Sequence, residues 1–194
     1  MKVKICGLTR REDAAAAIAA GADLLGFIFV PGTPRAVSAA SAPWIRDLQA
    51  ATVGVFRDAP LAAILEARER LGLDWIQLHG DESDSLLDEL GPRVIRRVKP
   101  AATIDWARVA WLGERFLPLL DPGAGDGIAC EWQSLGRRPA GIAFGLAGGL
   151  TPENVAEAVR IVRPTLVDVA SGIESAPGIK DHELLNAFVK QARL

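Results

Sequence analysis

The feature that most constrains this chain is a recurrence. Short apolar or β-branched runs ("VKIC", "LLGFIF", "TVGVF", "DWIQLH", "VIRRVK", "RFLPLLD", "GIAFGLA" and "LVDVAS") each give way to a polar loop and then to a stretch rich in Ala, Leu, Glu and Arg. They begin roughly every 20 to 28 residues, the period of one strand–helix unit. Eight such units predict an α/β fold, a single-domain (β/α)₈ TIM barrel over residues 1–194. An open, doubly wound parallel sheet is the alternative; the barrel is preferred because the last unit is as complete as the first. Helix starts are also marked. Thr9 with Glu12 reads as a capping box, Ser38 as an N-cap, and Thr151 before Pro152 as a cap with proline at the first helical position.

Charge and composition exclude several classes of function. Lys and Arg number 22 against 24 Asp and Glu, for a net charge of -2, and no basic run is interleaved with aromatics. No nucleic-acid partner is expected. No apolar run reaches the roughly 18 residues of a membrane span, and no basic leader precedes the first strand, so the chain is expected to be cytoplasmic, with no membrane partner. Its two cysteines and two histidines match neither a disulfide framework nor a zinc-ligand spacing, so no metal is expected. The five tryptophans are read as core packing.

In a (β/α)₈ barrel the active site lies where strands end and the following loops begin. The candidates are therefore Cys6, Arg35, His79, Lys99, Asp121, the Gly148–Gly149 pair, Asp168 and Ser171–Gly172. "GLAGGLTPENV" and "VDVASGIESAPGIKD" follow strands seven and eight, the recurrent phosphate-binding place of this fold. Their backbone N–H groups suit an anion, and a phosphorylated small molecule is the expected ligand. Cys6 and Asp121 stand on opposite sides of the barrel mouth. They form a base and acid pair if the thiol pKa is drawn below its free value; otherwise Cys6 is an inert buried thiol and Asp121 a loop cap. Arg35, on the proline-stiffened "PGTPRAVS" loop, has the planar fork that matches a carboxylate, or is simply solvated. His79 contacts the ligand or fixes its own loop. Cys130 reads as packing and His182 as surface.

Set in order, six segments resemble phosphoribosylanthranilate isomerases: "KICGLT" (Lys4–Thr9), "GADLLGFIFVPGTPRAVS" (Gly21–Ser38), "VGVF" (Val53–Phe56), "LDWIQLHGDE" (Leu73–Glu82), "LAGGLTPENV" (Leu146–Val155) and "VDVASGIE" (Val167–Glu174). The resemblance runs nearly end to end. It implies a cofactor-free Amadori rearrangement of N-(5-phosphoribosyl)anthranilate in tryptophan biosynthesis. It also implies Cys6 as general base, a protonated Asp121 as general acid, Arg35 on the anthranilate carboxylate and the two glycine loops on phosphate. The expected working unit is a monomer. After strand six, where the family usually reads GGTGxxFDW, this chain has "AGDGIACEW", so that Ala124, Asp126 and Cys130 depart from the pattern, and Ala170 stands where serine is common. Two other readings stay open: another sugar-phosphate barrel enzyme, which would want a Lys and Glu set or metal-ligating His and Asp, and a non-catalytic binder of a phosphorylated metabolite.

Overall fold

Eight parallel strands close on themselves in the computed structural model, which describes residues 1–100, 104–123, 132–135 and 138–194. The strands are β1 (Lys2–Ile5), β2 (Leu24–Ile28), β3 (Ala51–Phe56), β4 (Trp75–Leu78), β5 (Val94–Val98), β6 (Leu117–Leu120), β7 (Gly145–Leu146) and β8 (Leu166–Val169). Each pairs with its sequence neighbour, and β8 returns to β1 with Val3 opposite Val167 and Lys4 opposite Asp168. Closure removes every edge strand from the barrel. Around it lie α1 (Arg11–Ala20), α2 (Leu61–Leu71), α3 (Asp84–Leu90), α4 (Trp106–Gly113), α5 (Trp132–Leu135), α6 (Val155–Val162) and α7 (His182–Ala192). A 3₁₀ turn at Pro43–Asp47 takes the place of a helix between β2 and β3.

Two apolar clusters hold the layers together. The larger lies between strands and helices and includes Val3, Ile5, Leu25, Phe27, Ile76, Val167, Leu185 and Phe188. The smaller is the barrel's own filling: Leu24, Val53, Ile95, Leu119, Ala147 and Leu166. Side chains along a strand alternate faces, so the inward series continues two residues at a time toward the strand ends. Val53 is followed by Val55 and then Arg57, Leu119 by Asp121, Leu166 by Asp168, Gln77 by His79 and Lys4 by Cys6. The interior thus changes from an apolar floor to a polar mouth.

The helix starts differ from those read in the sequence. Thr9 does not cap α1: its hydroxyl donates to the Gly178 carbonyl at 2.6 Å, and Arg10 holds the cap position without a side-chain hydrogen bond. Gly178 turns the small antiparallel ribbon of β9 (Glu174–Ala176) and β10 (Ile179–Lys180), so Thr9 ties the loop after β8 to the loop after β1. Residues 152–154 form a turn, and α6 begins only after Asn154, whose Oδ1 accepts from the Thr151 amide at 2.8 Å. Ser38 and Ser41 hydrogen-bond each other in a local turn that leads to the 3₁₀ segment. Trp111 is exposed, lying under the Arg108 guanidinium, rather than packed in the core. Cys130, with Ala124 and Asp126, lies outside the described residues.

Candidate active site

One cavity at the C-terminal mouth of the barrel gathers Cys6, Arg35, His79, Asp121, Gly148, Gly149, Asp168, Ser171 and Gly172, all the site residues read from the strand ends except Lys99, which is exposed outside it. Its wall on the β2–β3 side is apolar, formed by Ile28, Val30 and Val55. The opposite side, after β7 and β8, is backbone. Gly148 and Gly149 take left-handed conformations, with φ of 90° and 65°, which side chains rarely adopt. Gly172 packs so tightly that a Cβ there would lie 1.9 Å from the Leu150 carbonyl oxygen. Asn154 fixes the first loop by donating to the Gly149 carbonyl at 2.9 Å.

Asp121 follows β6, and its Oδ1 accepts from the Gly123 amide at 3.0 Å. Burial, reinforced by the nearby Asp168 carboxylate, pushes its pKa up to about 6. Arg97 clamps the surrounding loops, donating to the carbonyls of His79, Asp121 and Gly123. His79 stands 3.8 Å from Asp121, too far for a hydrogen bond. Burial, with the cations Arg97, Arg57 and Lys4, holds its imidazole down to about 3, so this contact is not an ion pair at neutral pH.

For Cys6 the sequence leaves open a lowered pKa and an inert buried thiol, and the lowered pKa is not found. Burial pushes its thiol up rather than down, although the Lys4 ammonium works in the opposite direction. Lys4 is fully buried and donates to Asp168 Oδ2 at 2.8 Å. Its own ionisation is held firmly in the charged form: burial works to lower its pKa, and Asp168 and Cys6 more than offset it. Burial pushes the Asp168 carboxyl up while Lys4 pulls it back. Asp168 Oδ1, also buried, has no hydrogen-bond partner among the described residues. Gly26 makes the arrangement possible, since a Cβ there would sit 2.9 Å from Cys6 Sγ and 3.1 Å from Lys4 Nζ.

Arg35 reaches the mouth from the loop after β2 and is already gripped by Glu174, Nε to Oε1 at 2.9 Å and Nη2 to Oε2 at 2.7 Å. Lys180, buried on β10, adds a bond to Glu174 Oε1 at 2.8 Å and another to the Ala170 carbonyl at 3.0 Å. Burial is the largest influence on Glu174 and acts to raise its pKa, but these two cations hold the carboxyl below its usual range. Sequence reasoning missed Lys4, Gln77, Arg97, Glu174 and Lys180. For Lys4 and Gln77 a signal existed: each is polar within an apolar strand and lies two residues before a strand-end candidate, on the same face. Among the described residues, no group of three or more His, Cys, Asp or Glu is placed to hold a metal ion.

A family model described as N-(5'phosphoribosyl)anthranilate (PRA) isomerase matches residues 3–191. The chain belongs to this family. An N-(5'-phosphoribosyl)anthranilate isomerase of Magnetococcus marinus is 44% identical, over 100% of this chain and 95% of that protein. Among solved structures, the dimeric phosphoribosylanthranilate isomerase of Thermotoga maritima, seen as monomers, superposes with a TM-score of 0.87 at 36% identity, covering 100% of this chain and 98% of that one. A phosphoribosylanthranilate isomerase in complex with reduced 1-(o-carboxyphenylamino)-1-deoxyribulose 5-phosphate gives 0.86 at the same identity and coverage. The family's barrel is therefore this chain's barrel, and family membership makes the chain an isomerase.

Proposed function

We propose that this cavity converts N-(5'-phosphoribosyl)anthranilate into 1-(o-carboxyphenylamino)-1-deoxyribulose 5-phosphate, with Asp121 as general acid and Cys6 as general base. The observation that carries the assignment is the pairing of the two groups in one cavity, with a carboxyl whose pKa of about 6 lets it keep a transferable proton far above the ordinary carboxylate range. The phosphate lies at the backbone side, on N–H groups of Gly148, Gly149, Ser171 and Gly172. The aromatic ring lies on Ile28, Val30 and Val55, with its carboxylate toward Arg35, while Glu174 fixes the Arg35 guanidinium plane.

The chemistry follows from these positions. Asp121 delivers its proton to the ribose ring oxygen as the C1–O bond breaks, and the anilino nitrogen lone pair forms the C1=N bond. The Cys6 thiolate then takes the C2 proton, and the C–H electrons close a C1=C2 bond while the iminium nitrogen regains its lone pair. Tautomerisation of this enolamine leaves the ketone at C2 and a methylene at C1. The thiolate forms against the Lys4 ammonium, which offsets part of the cost of a buried anion. Because the acid has the lower pKa and the base the higher, the reactive pair is the minor tautomer of a state that has lost one proton.

The assay is the loss of phosphoribosylanthranilate fluorescence with purified protein. Turnover supports the reading. Binding of the reduced product without turnover makes the chain a binder of phosphorylated metabolites instead.

A further inference from the structure

Arg57 is a cation at the mouth that the mechanism leaves unused. It follows β3 two positions after Val55 and lines the cavity from an exposed position. Carboxylates of the loops after β3, β4 and β8 have other partners. Asp58 Oδ1 accepts from the Asp81 amide at 2.8 Å, Glu82 pairs with Arg96, and Glu174 pairs with both Arg35 and Lys180. Among the described residues, no acid meets the Arg57 guanidinium. Its charge nonetheless reaches into the cavity, where, after burial and Arg97, it helps keep His79 neutral.

The apolar lining of the cavity gives this cation a chemistry. Ile28 and Val55 are direct partners on β2 and β3, and with Val30 they give an apolar surface to the cavity that Arg35 enters from the loop after β2 and Arg57 from the end of β3. An apolar wall beside a cation that no acid among the described residues meets suits an aromatic ring that carries an anionic group. Glu174 already takes up the Nε edge of Arg35 and much of its charge, so Arg35 alone meets an incoming carboxylate with a compensated guanidinium.

We propose that Arg57 is a specificity-determining residue of this site, supplying the uncompensated charge that receives the aromatic carboxylate while the ring lies on Ile28, Val30 and Val55. The proposal rests on the functional reading given above and adds to it a second arginine, on a different strand. The two guanidiniums then divide the work: Arg35, locked by Glu174, sets direction, and Arg57 sets affinity.

The test compares two ligands on the full chain by titration calorimetry: the reduced product, which carries the carboxylate, and its counterpart with an unsubstituted phenylamino group. Arg57→Gln should weaken the first about tenfold, the scale of one lost charge-assisted hydrogen bond, and leave the second within about twofold. KM for phosphoribosylanthranilate should rise about tenfold with kcat within about twofold, and Arg57→Lys should fall between. Equal weakening of both ligands reduces Arg57 to a general attractor of anions and overturns the proposal, as does no change for either. Wild-type protein that binds and turns over its substrate while Arg57→Gln matches it defeats only this inference. Wild-type protein that binds neither ligand defeats the functional reading along with it.

Discussion

The two sides of the barrel mouth receive the same physical treatment with opposite consequences. After β6, burial pushes the Asp121 carboxyl up to about 6. After β1, burial pushes the Cys6 thiol up as well. Desolvation always disfavours the charged form. A group that must hold a proton gains from it, and a group that must lose one is hindered. The protein accordingly builds differently beneath the two. Asp121 has a second carboxylate, Asp168, within electrostatic reach, which adds to the effect of burial. Cys6 has the buried Lys4 ammonium, which opposes it. Asp168 serves both sides, anchoring Lys4 at 2.8 Å while repelling the anionic form of Asp121.

The largest expected effects come from removing the two groups themselves. Cys6→Ser and Asp121→Asn should each lower kcat by roughly 10² to 10⁴, the usual range for one proton-transfer group, while calorimetry still detects the reduced product. Retention of most of the wild-type kcat by either variant would remove that residue from the mechanism.

A smaller loss should follow from taking away what supports the thiolate. Lys4→Met alone strands Asp168 as a buried charge, which typically costs several kcal/mol, so the informative variant is Lys4→Met with Asp168→Asn. Its kcat should fall about 10- to 100-fold, and the pH at which Cys6 is half alkylated by iodoacetamide should move upward by one or two units. An unmoved alkylation profile would mean that Lys4 is a structural cation only.

The smallest effect is on stability, and its sign is opposite to the loss of activity. The folded pKa of Asp121, about 6, lies above its ordinary value of 3.8, so the folded state binds its proton more tightly than the unfolded chain. Stability is therefore lost as pH rises from 3.8 through 6. Asp121→Asn removes that cost, and at pH 8 thermal melting should show a gain of at most about 3 kcal/mol, vanishing near pH 3.5. A destabilised variant at pH 8 would show that the carboxylate is held favourably.

The barrel was legible because its evidence is repeated: eight strand–helix units leave little freedom even where single elements are weak, as β7 is with two residues. The local starts were less so, because they depend on partners far along the chain. Thr9 looks like a cap until the Gly178 carbonyl arrives from the loop after β8. The site followed the same division. Position along a strand and its two-residue alternation are enough to bring nine candidates to one cavity. Glu174 and Lys180 could not be placed in this way, since they are delivered by a small ribbon in the loop after β8. The direction of the Cys6 shift stays open in the sequence, because it turns on how completely the fold buries the thiol.

The central claim is that Asp121 is the proton donor of a pair in which the acid ionises before the base. The pH dependence of kcat/KM reports free-enzyme groups and tests it directly. In the wild-type protein kcat/KM should rise to an inflection near 6, run level, and fall only above the elevated thiol pKa. In Asp121→Asn the inflection near 6 should vanish, leaving a residual rate that climbs as the thiol ionises. The same inflection in both proteins would contradict the account.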